Sequence, residues 1–260
     1  MSATAASARE YLLSTELPEP GELGVPAAGP GLLEGEENPL DQSRTQAIVV
    51  GSNVLATETG MPVASREVIA NSLLLAQLVV KKKQIDASDA QAYHSAYGEV
   101  LRSLGWILTE EENTRIERQG IQFEVHEAIL AVAQIALGGA PGALKIVQMI
   151  LSQLAATEPH PWITIFNRET KASKTSNFQL SYTQQQGDQI AATLMSFSLE
   201  ANAAITQVLV FRGGDESVSF SSSRSGAQIN MAVVDFIKDD LRTRLQKYVQ
   251  NYISTLPDLD

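Results

Sequence analysis

Three histidines, His94, His126 and His160, are the side chains best suited to proton transfer or metal ligation, and none has a partner at a useful spacing. His126 lies in Glu124-Val125-His126-Glu127 with no second histidine one helical turn later, so the His-Glu-x-x-His pattern that holds zinc is absent. Gly138-Gly139-Ala140-Pro141-Gly142 has the glycine content of a phosphate cradle. It lacks the Gly-Lys-Ser/Thr that would follow and joins two helical stretches rather than a strand and a helix. Ser221-Ser222-Ser223 and Ser225-Gly226 do not make the Gly-x-Ser-x-Gly turn that exposes a nucleophile. Glu110-Glu111-Glu112 reads as a solvated run, and nothing selects a catalytic carboxylate pair. The chain has no cysteine, which removes disulfides, thiolate metal sites, cysteine nucleophiles and thioester-linked lipids. The expectation is a protein with no catalytic residue, no metal and no cofactor: not an enzyme.

The stretch that dominates the chain is Ile121 to Ala156. Ile121, Val125, Ala128, Ile129, Val132, Ile135 and Ala136 recur at helical spacing, as do Leu144, Val147, Ile150, Leu151 and Leu154. Gly138 and Gly139 end the first helix, and Pro141 suits the first turn of the second. The spacing predicts a helical hairpin with one strongly apolar side, hinged at Gly138, Gly139, Pro141 and Gly142. From Ile129 to Leu151 the only charge is Lys145. Each arm is shorter than the roughly 20 apolar residues a membrane span needs.

The net charge is −11, and residues 1–45 hold eight acids against two arginines, with five prolines and five glycines. This predicts a flexible acidic leader over 1–44, in which Tyr11-Leu12-Leu13 could form a short docking turn. With no basic stripe, nucleic acid is not an expected partner, and attraction to anionic lipid would not be driven by charge. The first residues lack the basic and apolar blocks of a signal peptide, so release by a non-classical route is the expectation for a secreted role.

Ala47 to Val50 reads as a short buried strand, and Val68 to Val80 as a helix buried on nearly every side, with Ser65 as N-cap and Lys81-Lys82-Lys83 at its end. The next helix, capped by Asp86, carries Tyr93, Tyr97, Val100, Leu101, Leu104 and Leu108, and a charged connection runs from Glu110 to Gly120. After the hairpin the periodicity changes to two. Trp162 to Phe166 is expected as a strand, followed by Phe178, Leu180 and Tyr182 alternating with polar residues. Ile190, Ala192 and Leu194 alternate next, and Met195, Phe197 and Leu199 continue one step out of phase, which predicts a bulge near Leu194. Ile205 to Phe211 and Val218 to Ser222 read as strands, and Asp235 to Ser254 as a closing helix with an Asp240–Arg244 pair. Helices followed by strands give a segregated α/β (α+β) chain with one domain over 45–260.

That order of elements resembles the Cyt δ-endotoxins, cytolytic toxins that share a fold with a mushroom cardiotoxin and some bacterial virulence factors. The resemblance rests on the strand Ala47 to Val50, the apolar helix Glu67 to Val80 and the hairpin Val125 to Leu154. It continues through Trp162-Ile163 with Glu169-Thr170, the strands Phe178 to Leu199, Ile205 to Phe211 and the closing helix. It implies a single-domain three-layer sandwich, a mostly antiparallel sheet flanked by helical hairpins. It also implies a pore-forming or membrane-disrupting toxin or virulence factor whose partner is the lipid bilayer of a target cell, with self-association on the membrane. The alternative is a non-lytic virulence or interaction protein on the same scaffold. Helix layers that swing away would let the sheet meet lipid, so the implied membrane-interacting residues are Phe178, Leu180, Tyr182, Ile190, Leu194, Phe197 and Leu199.

Overall fold

The computed structural model describes residues 4–23, 40–85, 89–118, 123–138, 141–154, 160–172, 175–187, 189–202, 205, 212–213 and 218–256. In chain order the elements are α1 (Ala5–Ser14), β1 (Gln46–Val50), β2 (Asn53–Thr57), α2 (Val63–Lys82), α3 (Ala90–Ser103), β3 (Trp106–Arg118) and β4 (Phe123–Glu124). Then follow α4 (Val125–Ala136), α5 (Pro141–Leu154), α6 (Pro161–Thr170), β5 (Lys171–Ala172), β6 (Thr175–Gln186), β7 (Gln189–Ala201), β8 (Arg212–Gly213), β9 (Val218–Ile229), α7 (Met231–Tyr252) and β10 (Ile253–Thr255).

The main sheet runs β10-β1-β2-β6-β7-β9-β3, with β5 on β6, and among the described residues only the β2–β6 pair is parallel. Helices cover both faces, giving the three-layer α/β sandwich with a mostly antiparallel sheet. On one face α2 lies over β1 and β2, α3 over β3 and β7, and α7 packs on α2. On the other, α4 lies over β7 and β9 with α5 beside it, and α6 covers β1, β6 and β10. β1 is buried on both sides, which is why Ala47-Ile48-Val49-Val50 is an unbroken apolar run rather than an alternating one. The tight β1–β2 turn needs glycine: Gly51 has φ +59°, and a Cβ there would sit 2.1 Å from Gln77 Oε1.

The phase change in β7 has a different cause from the bulge expected of it. The β6–β7 and β7–β9 ladders keep one register from end to end. Ile190, Ala192 and Leu194 pack in the core under α2 and α3, whereas Met195, Phe197 and Leu199 pack in the core under α4, α5 and α6. The strand is covered on opposite faces at its two ends, so its apolar phase flips without any extra residue. The register shift that does occur is in β3, between Thr109 and Glu111.

Other expectations are corrected. Trp162 to Phe166 belongs to helix α6, burying Trp162, Ile163, Ile165 and Phe166 at i, i+1, i+3, i+4. The charged stretch after Glu110 forms most of edge strand β3. α2 starts straight after Pro62, with no side chain capping it, rather than at Ser65, and the N-cap of α3 is Asp89, which accepts from Ala92 N, in place of the expected Asp86. Asp240 pairs with Arg9 at 2.6 Å instead of with Arg244, whose guanidinium donates to the carbonyls of Leu12 and Thr15. The leader is structured over its first part. A Thr4–Ser7 capping box starts α1, Ala8 and Leu12 are fully buried, and Tyr248 Oη donates to Pro18 O at 2.7 Å. The stretch Ile205 to Phe211, expected as a strand, lies outside the described residues apart from the buried Ile205.

Candidate functional site

The helical hairpin forms where its periodicity placed it. α4 turns its buried Val125, Ile129 and Ala133 toward the sheet, with Leu137 just beyond, and α5, packed on α4, buries Ala143, Val147, Ile150 and Leu151 in the same core. Of the hinge residues, Gly138 has φ +56°, and its N–H donates to Ile135 O at 3.3 Å. This is a left-handed helix end that an L side chain would strain. Pro141 opens α5, Gly142 follows on an exposed position, and Gly139 lies outside the described residues.

Beneath the hairpin runs an aromatic ladder. Phe178 and Phe197 are cross-strand partners with centroids 5.0 Å apart. Phe197 meets Phe220 at 5.8 Å, and Phe166 of α6 stands edge-on to Phe178 at 6.1 Å. Such pairs add to the stabilisation that burial already supplies. The residues implied as membrane-interacting fall into two groups. Phe178, Leu180, Tyr182, Phe197 and Leu199 are buried in the hairpin-side core, while Ile190 and Leu194 are buried in the opposite one. They do not share a face. Tyr182 donates its hydroxyl to the Glu58 carboxylate. Burial, and then this carboxylate, push the phenol well above its ordinary pKa.

On the other face, where the apolar zone ends, the sheet is polar. Asn53 Nδ2 donates to Gln179 Oε1 at 3.1 Å and to Ser181 Oγ at 2.9 Å. Between this patch and α3 is a cavity of ≈ 130 Å³, walled in part by His94, Tyr97, Gln179, Ser181, Ser196 and Ser223. His94 Nδ1 is buried with no hydrogen-bond partner, and burial pushes the imidazole down to about 4, so it is neutral at pH 7. Hydroxyls, an amide and a neutral imidazole can exchange hydrogen bonds with water or a small polar guest. Among the described residues no three histidine, aspartate or glutamate side chains gather as a metal site would require.

Two polar clusters had no signature in the sequence. Arg66 on α2 is the largest fully buried side chain among the described residues. Its Nε donates to Met61 O at 3.0 Å, and its Nη2 donates to Arg44 O at 3.0 Å and Glu58 O at 2.6 Å. The Glu169 carboxylate, almost fully buried at the end of α6, pairs with Lys81 and, at 2.7 Å, with Arg168 Nε. Both cations lie over the Tyr252 ring, at 5.2 and 5.1 Å. α2 is the one helix, among the described residues, long and apolar enough to cross a membrane, and 78% of that stretch is buried as core.

No protein-family model and no curated protein matches the sequence. Solved structures do resemble the fold. One is a δ-endotoxin, at TM-score 0.40 and 12% identity over 81% of this chain and 96% of that one. Another is the activated Cyt2Ba monomer from Bacillus thuringiensis subsp. israelensis, at 0.31 and 11% over 48% and 72%. A third is the Evf virulence factor, at 0.32 and 13% over 80% and 85%. The likeness is one of fold.

Proposed function

We propose that the protein binds lipid bilayers and perturbs them, in the manner of a cytolytic toxin or virulence factor, after the α4–α5 hairpin lifts from the sheet. The supporting observation is the hairpin's own surface. Besides its buried inner face, it leaves Leu130, Val132, Leu144, Ile146 and Met149 partly buried, and Ile135 is 62% exposed. A layer that already shows apolar side chains to solvent has an affinity for a bilayer, and the left-handed joint at Gly138 is where it would pivot. In this reading the protein is released from its cell, acts at a target-cell membrane and self-associates there.

The test is dye release from phosphatidylcholine vesicles with the hairpin locked. One cysteine replaces Ala133, on the buried face of α4, and the other a β7 residue within about 6 Å by Cα. The native chain has no cysteine to compete. The oxidised protein should release no dye and the reduced protein should release it. Equal release from both forms would remove the opening step, and no release from vesicles of any composition would remove the membrane function.

A further inference from the structure

Resting on the bilayer reading above, we infer that the lipid-contacting element is the α4–α5 hairpin lying flat in the membrane interface, and that strands β6, β7 and β9 do not enter the bilayer. A membrane-spanning strand needs about 9–11 residues with one continuous apolar face. In β6 the hairpin-side face offers Phe178, Leu180 and Tyr182, then Gln184. In β9 the same face offers Val218 and Phe220, then Ser222, Arg224 and Gly226; the opposite face offers Ser221, Ser223 and Ser225 before Ala227 and Ile229. A bulge at Leu194 would join the two apolar halves of β7 on one face. It would leave β9 unchanged, because Ser221-Ser222-Ser223-Arg224-Ser225-Gly226 is polar in either register. A barrel wall built from these strands would therefore turn serines or Arg224 to lipid near its midplane, where an arginine is costly.

The hairpin meets the opposite specification. At 12 and 14 residues its helices are about 18 and 21 Å long, too short for a hydrocarbon core of about 30 Å but suited to lying in the interface plane. Its described charges are Glu127 and Lys145, which offset each other, so the surface it fits is a zwitterionic bilayer rather than an anionic one.

Single cysteines at Ile135, Ser221 and Arg224 would carry an environment-sensitive fluorophore. Phosphatidylcholine vesicles would carry quenchers either near the headgroup or deep in the acyl chains. The label at 135 should shift to the blue and be quenched by the shallow probe, while labels at 221 and 224 should keep the emission they show without vesicles and escape both quenchers. Ile135→Asp, at an exposed site that leaves folding intact, should weaken vesicle partitioning about tenfold or more. Deep quenching at 221 or 224 would overturn the inference while leaving the bilayer reading standing. So would vesicle binding unchanged in Ile135→Asp. Absence of any spectral change at all three sites would overturn this inference, and if the protein also fails to co-sediment with the vesicles the bilayer reading falls with it.

Discussion

The two helical layers bury similar kinds of side chain but are held in different ways. The α2/α7 layer is tied by directional bonds. Gln77 Nε2 donates to Val50 O at 2.6 Å and its Oε1 accepts from Ser52 N at 3.0 Å; Tyr97 Oη donates to Leu73 O at 3.2 Å. Arg242 grips Glu67 through both its Nε and Nη2, at 2.6 and 2.7 Å. Pulling α2 away would strand buried polar groups, at about 1–3 kcal/mol each. Among the described residues the α4–α5 hairpin joins its core through Val125, Ile129, Ala133, Val147 and Ile150, so separating these side chains costs apolar area, which a bilayer can replace. The contrast teaches that the two layers can differ in their freedom to move though both are apolar. What distinguishes them is where the buried donors and acceptors are.

The largest expected effect is on the tied layer. Arg66→Ala leaves the carbonyls of Met61, Arg44 and Glu58 without their donor and should cost at least about 3 kcal/mol in denaturant unfolding. A loss below about 1 kcal/mol would erase the distinction between the layers. On the hairpin, Ile150→Ala should cost about 2–4 kcal/mol by leaving a cavity in the core the hairpin covers. The sharper measurement is hydrogen exchange in the same variant. Amides of α4 and α5 should exchange faster while those of α2 stay protected, because the hairpin opens as a unit of its own. Uniform acceleration would show one cooperative body.

Acid should act on the tied side. His94 has a depressed pKa in the fold, about 4, against 6.5 in the unfolded chain, so the unfolded state binds the extra proton below pH 6.5. The stability associated with a neutral His94 is therefore complete above pH 6.5 and is lost as pH falls toward 4, by about 2 kcal/mol at pH 5. His94→Gln should flatten that part of the pH profile of the thermal midpoint; an unchanged slope would place the acid sensitivity elsewhere. The smallest effect is Gly138→Ala, which forces a Cβ into a left-handed conformation with open space around it, at about 1 kcal/mol. A stabilising result would mean that the helix end relaxes and the joint is not a fixed pivot.

Much of the fold was legible in residue spacing, and the errors share one origin. The hairpin was readable because Val125, Ile129, Val147, Ile150 and Leu151 repeat with the helical period around a Gly/Pro break, a local signal. The helix α2 and the β6–β7 strands were readable for the same reason. Trp162 to Phe166 was not, since a short run of aromatic and β-branched residues satisfies strand and buried helix alike, and packing against β1 and β10 selects the helix. β3 was missed because Glu110-Glu111-Glu112-Asn113-Thr114-Arg115 carries no apolar alternation, and only its backbone pairing with β9 makes it a strand. α1 was missed because ten helical residues with two buried side chains, Ala8 and Leu12, depend on α7 for their stability. Of the implied membrane residues, the sequence alone determined that Phe178, Leu180, Tyr182, Ile190, Leu194, Phe197 and Leu199 lie on alternating strands. Only the tertiary structure decided that Ile190 and Leu194 face one layer and the rest the other. Alternation is set by the two-residue repeat of a single strand, whereas the identity of the covered face depends on which helix, distant in sequence, lands on each end of it.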